Sequence, residues 1–486
     1  MKKIIFAIIL SLLYFTQDIK SQGTTFEYLL SSSLDESFWD IIETSDNNIY
    51  FIGGLSSVQH PYKDYGLIVK LDKYGNLIDS IVVSSPDKSM QITRILPSVN
   101  QELVLVTSIY DTLGTVRAVS IRLNIMDNDL NLHNQSDFMF PSTYRLVHLS
   151  ASIESTGNIL VGGAVSIQGS VPRPYFYEFN SDFDSLKAKF YLDDGGIFSN
   201  LKALDNGSYW MLNMISNQYE ILDSELNIVS VQKVPNRLSS NYGVVWDTDT
   251  SFYLLGDGIQ QSTPHTLGFI RQFHPMDTTG HIYNHWNVSD TIDFPAFWGG
   301  IDFKNKDSIF IGGTRNIAIT GNYYTRWPSW FVILQTDSLL NIRWERFYGG
   351  DAYYMMGKLI ATNDGGCIVA GTRYDYMNTT ELETDIIVLK LNHDGLITSN
   401  QGKPSIEMHE AIVYPNPGDK EIVVRIAVQY KHSVFELFDI NGRHILKQNF
   451  TGTQGKVNTT FLENGTYIYR ITSNDGLFET GKWIKQ

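Results

Sequence analysis

Cysteine is almost absent from this chain of 486 residues, which contains only Cys367. A single thiol cannot form an intramolecular disulfide, and it cannot supply the paired thiolates of a structural zinc site. Cys367 lies in an apolar, strand-like run at residues 366–370, and no Cys/His signature surrounds it. We therefore predict a buried structural thiol.

Long hydrophobic runs are also scarce. Residues 4–15 are apolar but too few to cross a bilayer core of about 30 Å as a helix, and no later segment has enough uninterrupted apolar residues. Lys2 and Lys3 precede this run, and Ser21 follows it as a small residue near a cleavage point. Residues 1–21 are thus predicted to be a secretory signal peptide, and we expect no transmembrane segment in the mature chain.

Basic side chains are outnumbered by acidic ones. The chain has 37 Lys and Arg against 52 Asp and Glu, which gives a formal net charge of −15 at pH 7. An acidic surface repels the phosphate backbone of nucleic acids. We therefore expect no nucleic-acid partner.

Recognisable catalytic and metal-binding motifs are missing as well. The chain has no G-x-S-x-G elbow, P-loop, H-E-x-x-H helix or dinucleotide fingerprint, so no catalytic residue is assigned. His281 and His285 would lie close enough to share a metal ion only on a helix, whereas their surroundings are typical of a strand. Residues 127–129 and 247–249 offer carboxylate oxygens for Ca²⁺, but turn-forming Asp and Asn explain them more simply. We expect no cofactor and no metal site.

What the chain does have, over residues 22–399, is one pattern that occurs seven times. Each unit contains an apolar run ending at or near glycine, a variable loop, a second apolar run and a polar turn. The spacing of about 43 to 58 residues between units is typical of propeller blades built from four short strands. The equivalent anchor positions are Gly53, Thr107, Gly162, Asn213, Gly256, Gly312 and Ala370.

The apolar runs favour a propeller over a sandwich. Runs such as residues 49–52 and 386–389 are apolar at successive positions, so both faces of these strands are predicted to be buried between neighbouring blades. The seventh unit lacks an outer strand, whereas residues 24–31 have strand composition and no unit of their own. We predict that residues 24–31 pair with the seventh unit and close the ring.

The last segment, residues 405–486, departs from the repeat and follows a short polar linker at residues 400–404. Its turn and strand signals predict a small β-sandwich. The segment opens with Val413-Tyr414-Pro415-Asn416-Pro417, contains the turn Asn441-Gly442-Arg443 and a strand with Gly465 and Tyr467, and closes with Gly481-Lys482-Trp483.

Taken together, these motifs resemble the type A C-terminal sorting domain of the type IX secretion system of Bacteroidetes, over the full length of the segment. The resemblance implies that the tail engages the type IX secretion machinery and that a sortase-like protease removes it near the linker. It also implies that the protein reaches the outer cell surface or the medium through the periplasm.

Aromatic residues crowd the sixth repeat. Trp298 lies on its approach strand, and Tyr323, Tyr324, Arg326 and Trp327 lie in its insert. Exposed rings stack on sugars and, together with arginine, dominate protein-binding surfaces. We expect a glycan or protein ligand here, with packing between blades as the alternative explanation.

The sequence therefore predicts an all-β protein, a seven-bladed β-propeller followed by a small C-terminal β-sandwich sorting domain. Its expected role is a secreted or cell-surface binding, adhesion or structural module. An extracellular polysaccharide hydrolase or lyase is the alternative. Two acidic side chains converging at the channel beside aromatics would favour the enzyme, and a channel lined by small apolar residues would favour the binding module.

Overall fold

The computed structural model describes residues 24–32, 34–56, 63–85, 87–98, 101–111, 118–141, 144–167, 170–235, 238–258, 265–277, 279–286, 291–318, 323–379, 382–398, 408–430, 432–473 and 478–486. Every regular element in these ranges is a β-strand. No helix among them is long and apolar enough to cross a membrane. The predicted signal segment 1–21 and linker 400–404 lie outside the described residues.

The first half of the propeller begins with strand β1 and continues with blades one to four. These strands are β1 (Phe26–Leu30); blade one, β2 (Asp35–Glu43), β3 (Ile49–Ser56), β4 (Asp64–Leu71) and β5 (Leu77–Val83); blade two, β6 (Lys88–Pro97), β7 (Leu103–Asp111), β8 (Ala118–Met126) and β9 (Leu132–Met139); blade three, β10 (Arg145–Ile153), β11 (Ile159–Ser166), β12 (Arg173–Phe179) and β13 (Ser185–Phe190); and blade four, β14 (Phe198–Ala203), β15 (Tyr209–Asn213), β16 (Gln218–Leu222) and β17 (Ile228–Lys233).

Three more sheets complete this region. Their strands are blade five, β18 (Leu238–Trp246), β19 (Phe252–Gly258), β20 (Leu267–Gln272) and β21 (His281–Trp286); blade six, β22 (Asp293–Pro295), β23 (Ile301–Asn305), β24 (Ser308–Arg315), β25 (Trp330–Thr336) and β26 (Ile342–Gly349); and blade seven, β27 (Tyr353–Ala361), β28 (Cys367–Tyr374) and β29 (Asp385–Leu391). Within the described ranges, each sheet is an antiparallel ladder that corresponds to one repeat of the sequence.

Strand β1 supplies the outer strand that blade seven lacks. It pairs antiparallel with β29, from Phe26 opposite Lys390 to Leu30 opposite Ile386. The predicted pairing of residues 24–31 with the seventh unit is confirmed. Both ends of the ring thus meet in one sheet, and β29 has no open edge along this stretch.

Apolar side chains fill the spaces between successive blades. Strands β11, β15 and β19 are buried along their whole length, as strands packed on both faces must be. The final cluster joins blades seven and one, with Phe38 and Phe51 packed against Ile368 and Ile386. Cys367 lies buried between blades six and seven, where burial raises the pKa of its thiol, in agreement with the predicted structural role.

Turns between the third and fourth strands place one residue in the left-handed conformation against the preceding blade. This conformation costs an L-residue about 1–2 kcal/mol. In four blades a large apolar side chain occupies the position and is at least 97% buried in the cluster with the preceding blade, which offsets the strain. These residues are Leu130 (φ 61°), Phe183 (68°), Leu226 (62°) and Leu340 (63°).

In blades one and seven the same turn position is glycine. A Cβ atom on Gly75 would lie 2.3 Å from the ring of Phe26, and one on Gly395 would lie 2.6 Å from the ring of Trp344. In each case an aromatic side chain from the preceding blade's sheet already fills the space that leucine or phenylalanine fills elsewhere. Glycine is therefore required both by its positive φ and by the close approach.

The C-terminal domain is a separate sandwich with its own core. Its strands are β30 (Met408–His409), β31 (Ala411–Tyr414), β32 (Glu421–Ile426), β33 (His432–Asp439), β34 (His444–Thr451), β35 (Gln454–Asn458), β36 (Gly465–Ser473) and β37 (Phe478–Lys485). One sheet has the order β31-β32-β35 and the other β34-β33-β36-β37. Val424, Phe435, Ile471 and Trp483 pack between them, which confirms the predicted sandwich.

Candidate functional site

The innermost strand of almost every blade carries a bulge at an equivalent place. A β-bulge bends its strand and redirects the side chains beside it. The register between first and second strands slips between Phe38 and Asp40, Ile92 and Arg94, Leu146 and His148, Ser199 and Lys202, Asn241 and Gly243, and Met356 and Lys358.

Residues at or just after these bulges line one cavity of about 390 Å³ in the middle of the ring. Each blade contributes at least one residue to its wall. These are Asp40, Arg94, His148, Asn200, Gly243, Trp298 and Lys358, in the order of the blades.

Blade six reaches the cavity by a different route. Its inner strand is split into β22 and β23, and Trp298 lies in a turn of the intervening segment and not on a strand as predicted. This segment pairs with the inner strand of blade seven. The Trp298 amide donates to the carbonyl of Gly357 at 2.7 Å, and the Leu359 amide donates to the carbonyl of Gly299 at 2.8 Å. A Cβ atom on Gly357 would lie 2.3 Å from the ring of Phe38, so the packing of blade one against this strand needs glycine. The segment between β22 and β23 therefore holds Trp298 in the cavity wall.

The ring of Trp298 contacts an indole of blade one and a guanidinium of blade two. Its ring lies 5.0 Å from that of Trp39, at an interplanar angle of 32°. The guanidinium of Arg94 lies 5.4 Å from the Trp298 ring centre, which is within cation–π range. Arg94 also donates to the carbonyl of Leu149 at 2.8 Å, so its position is fixed from a third blade.

The Asp40 carboxylate is engaged by several donors. It accepts from Lys358 Nζ, from the Ile41 amide at 2.9 Å and from the Ile95 amide at 3.2 Å. Its side chain is 2% exposed. Asp40 thus joins the inner strands of blades one, two and seven instead of projecting freely.

A second acid, Asp302, accepts from the amides of Ala361 at 2.8 Å and Phe303 at 2.9 Å. Burial raises the pKa of Asp302, while these hydrogen bonds and the charges of Lys304 and Lys358 act in the opposite direction. The cavity thus has two carboxylates beside Trp298, each held by protein donors. It is neither an open pair of acids nor a small apolar channel.

His148 contributes a neutral ring. Desolvation and the neighbouring charge of Arg94 lower its pKa to about 3, so the imidazole is uncharged at physiological pH. The cavity wall therefore combines the indole of Trp298, two cationic side chains, a neutral imidazole and the amide of Asn200. Such a set suits a compact polar ligand with a flat face and an anionic group.

The remaining predicted binding residues lie elsewhere in blade six, in the insert between β24 and β25. Tyr324 donates its hydroxyl to Asp35 at 2.7 Å, and Arg326 donates to the hydroxyl of Tyr374 at 3.4 Å. Both contacts join the insert to the blades on either side of the ring closure. Tyr324 and Arg326 therefore hold the insert in place.

Two rings of this insert face solvent. Tyr323 is 45% exposed and Trp327 is 43% exposed. The Trp327 indole donates to the carbonyl of Asn316 at 2.8 Å, which fixes its orientation. Neither residue lines the central cavity, so the structure divides the predicted set into Trp298 at the cavity and four residues in the insert.

The segments considered for Ca²⁺ have other roles. Asp127 accepts from the amides of Asp129 at 2.9 Å and Asn131 at 2.8 Å, which is a turn interaction. Asp247 pairs with Arg271 and Lys306. In the part of the chain that the structure describes, no group of three or more His, Cys, Asp or Glu residues could hold a metal ion.

Motif analysis alone did not identify the cavity residues. Asp40, Arg94 and Lys358 differ in chemistry and belong to no motif. The repeat could have identified them, because each lies nearly the same number of residues before the anchor position of its own repeat, as Asp40 lies before Gly53. Aligning inner strands on those anchors would have placed them on one ring.

In the C-terminal domain, the opening and closing motifs meet. The Asn416 side chain donates to the carbonyl of Lys482 at 2.7 Å and accepts from the Ile484 amide at 2.9 Å. The Trp483 indole donates to the carbonyl of Pro415 at 2.7 Å. Two motifs far apart in sequence thus form one structural unit, in which Tyr414 and Pro417 flank the contact.

The other motif residues occupy the predicted turn and strand. Asp439 accepts from the amides of Asn441 at 3.0 Å and Arg443 at 2.9 Å, and Gly442 has a φ of 78°. Gly465 begins β36, where the ring of Tyr467 lies 6.0 Å from that of Trp483. The strand and Asn-Gly turn predicted from sequence are confirmed.

Comparison with known proteins agrees with this description of the tail. Residues 412–486 match the family model described as "Secretion system C-terminal sorting domain". No curated protein matches the chain.

Solved structures similar to the chain include a fungal alcohol oxidase of the AA5 family in complex with copper, with a TM-score of 0.48 and 10% identity, covering 96% of this chain and 100% of that one. Virginiamycin B lyase from Staphylococcus aureus has a TM-score of 0.44 and 11% identity, covering 76% and 99%. A protein described as the extracellular domain of a hybrid two-component system from B. thetaiotaomicron has a TM-score of 0.45 and 10% identity, covering 96% and 60%. Because all three TM-scores are below 0.5, the description of the fold rests on this chain's own strand pairing.

Proposed function

Because residues 412–486 are a type IX secretion C-terminal sorting domain, we propose that this chain is a secreted or cell-surface β-propeller whose tail is a removable sorting signal. In this proposal, the tail engages the secretion machinery and a sortase-like protease cuts near residues 400–404. The propeller then acts outside the cell as a binding module.

The observation that carries the binding role is the convergence of one or more side chains from every blade on a single cavity. The indole of Trp298 in the cavity wall offers a flat face for a sugar ring. Arg94 and Lys358 offer cationic donors beside it. We therefore assign a saccharide that carries a carboxylate as the ligand class.

Engagement of the carboxylates supports binding over catalysis. Asp40 accepts from Lys358 and two backbone amides, and Asp302 accepts from two backbone amides. A general acid or base has to exchange a proton with the substrate, whereas these oxygens already bind protein donors.

Paired tryptophan variants of the full-length protein test the ligand site on an array of neutral and acidic glycans. We expect wild type to bind acidic glycans, Trp298→Ala to lose binding, and Trp327→Ala to retain it, because Trp327 lies outside the cavity. Loss of binding with Trp327→Ala alone would place the site on the insert and refute the cavity. Unchanged binding by both variants would refute both sites.

Truncation tests the export route. Wild type and a chain ending at Pro404 are compared in periplasmic, surface and medium fractions. We expect the truncated chain to stay in the periplasm and the exported wild type to lack the tail. Equal export of both chains would refute the sorting role.

A polysaccharide hydrolase or lyase is the second candidate. The specific observation in its favour is Asp302, whose pKa is raised by burial beside the aromatic cavity wall, as general acids require. Incubation of the protein with acidic polysaccharides would then release reducing ends or unsaturated products, and Asp302→Asn would abolish their release. Absence of products from every polysaccharide that binds would exclude this candidate.

A further inference from the structure

The outer strand of blade six differs from the outer strands of the blades before it. In blades one to five these strands are largely exposed or half-buried. Strand β26 is instead buried from Trp344 to Gly349. It is covered by the C-terminal domain, whose β30 adds to its edge with His409 opposite Phe347 and Met408 opposite Tyr348.

Apolar contacts extend this interface. Ile412 and Ala427 of the C-terminal domain are 3% and 0% exposed. They belong to the same packed cluster as Trp286 of blade five and Trp330 and Phe347 of blade six. The junction between blades five and six is therefore completed by side chains from the tail.

A buried ion pair lies at the centre of the interface. Arg425 of the tail and Glu345 of blade six are 2.8 Å apart, with side-chain exposures of 1% and 0%. The Trp286 indole donates to the same carboxylate, and Gln429 of the tail bonds the main-chain amide and carbonyl of Glu345 at 3.2 and 3.3 Å. A carboxylate buried this deeply needs its cationic partner, because an uncompensated buried charge is strongly unfavourable.

A second group of polar contacts surrounds the first. Arg346 of blade six lies 3.3 Å from Glu410, which also accepts from the hydroxyl of Tyr430 at 2.9 Å. The guanidinium of Arg315 lies 4.9 Å from the ring centre of Tyr414, a residue of the sorting motif. The tail thus touches the propeller with part of the motif that identifies it.

We propose that the edge of blade six is a binding site for the sorting domain, and that the domain stays bound there after the linker is cut. Strand addition and the buried Glu345–Arg425 pair would hold the two pieces together without a covalent connection. Proteolysis and release of the tail are then separate steps. The docking of the tail on blade six does not depend on the proposed export function. The separation of cutting from release during export does rest on that function.

Cutting the linker of the purified full-length chain tests this inference directly. A site for a specific protease is inserted between Gly402 and Lys403, and the cut protein is analysed by size-exclusion chromatography at decreasing concentration. We expect both fragments to elute together at the volume of the uncut chain. Separation of wild-type fragments at micromolar concentration would overturn the proposal, whatever the result of export assays in cells.

Substitutions at the ion pair test which contacts hold the tail. Arg425→Leu and Glu345→Gln should each weaken fragment association by about 100-fold or more, because each leaves a buried polar group without its partner. Lys456→Met is the matched control, since Lys456 and Glu421 form an ion pair of the same 2.8 Å length that is exposed at 61% and 49%. The control should associate as wild type does.

Two variants guard against misfolding as the cause. Glu345→Gln changes the propeller and leaves the tail sequence intact, so loss of association in both single variants supports the interface. The double variant Glu345→Arg with Arg425→Glu should recover part of the association. Association of Arg425→Leu and Glu345→Gln equal to that of wild type would overturn the role of the pair.

Discussion

Replacing Glu36 with glutamine should stabilise this protein above neutral pH and have little effect in acid. Glu36 lies at the start of β2, where its amide donates to the carbonyl of Thr384 at 2.9 Å across the contact between blades one and seven. The residue is fully buried. Its carboxyl oxygen Oε1 accepts from Ser32, and Oε2 has no hydrogen-bond partner among the described residues.

Burial raises the pKa of Glu36 from its ordinary value of 4.5 to about 7, and the charges of Asp385, Asp35 and Glu383 act in the same direction. Below pH 4.5 the carboxyl is protonated in both the folded and the unfolded chain, so it imposes no penalty. As pH rises to about 7, the unfolded chain releases this proton before the folded chain does, and stability is lost. At about 1.36 kcal/mol per pKa unit, the loss above pH 7 reaches about 3 kcal/mol.

Guanidinium unfolding of wild type and Glu36→Gln, followed by tryptophan fluorescence between about pH 4.5 and about pH 8.5, measures this loss. The two proteins should be similar at the acidic end, and the variant should gain up to about 3 kcal/mol at the basic end. Glu225→Gln, at an exposed turn of blade four, is the control and should show no such trend. A difference between variant and wild type that stays constant with pH would refute the reasoning.

Ring closure and the glycine turns can be tested by thermal and chemical unfolding. Deleting residues 24–31 should lower Tm, and Phe26→Ala alone should cost about 3–5 kcal/mol because its ring is buried against Gly75; an unchanged Tm would contradict closure by β1. Gly395→Ala should cost about 2–4 kcal/mol, since it combines a positive φ with a collision against Trp344. Gly207→Ala, at φ 77° with no atom within 4 Å of the new Cβ, should cost only about 1–2 kcal/mol, and equal losses would contradict the packing argument.

The sheets of the propeller could be predicted because burial on both faces leaves an uninterrupted apolar run. The runs at residues 49–52 and 386–389 mark such strands, and the polar turns between them set the repeat. The closing strand could be predicted by elimination, since one unit lacked a strand and residues 24–31 lacked a unit. The turn at Asn441-Gly442 has its own local chemistry and needed no tertiary information.

The cavity could not be predicted from residue types. Outside blade six, its residues lie at or just after bulges, and a bulge depends on how two strands pair, which the residue type does not record. Trp298 was identified only because it is aromatic. Its neighbours Arg94 and Lys358 come from other blades, and their proximity depends on the curvature of the whole ring.

Contacts between residues far apart in the sequence could not be predicted from the sequence either. Tyr324 and Asp35 meet because the ring brings its two ends together, and this gives an aromatic residue of the insert a structural contact. Glu345 and Arg425 are common charged residues in sequence, and only the fold shows that both are buried against each other. Whether Tyr323 and Trp327 bind a ligand stays a prediction.

The left-handed turns have a consequence for how the ring can be altered. The size of each turn residue matches the space that the preceding blade leaves. Leu340 fills a space that blade five leaves open, whereas Gly395 faces a space that Trp344 of blade six already fills. Each pair of neighbouring blades therefore has its own complementary set of side chains at this contact. A copied, deleted or reordered blade would set leucine against an aromatic ring or glycine against a void. Side-chain pairs at these turns thus restrict which blades can be neighbours, and so the order of blades and the size of the ring, although every sheet has the same topology.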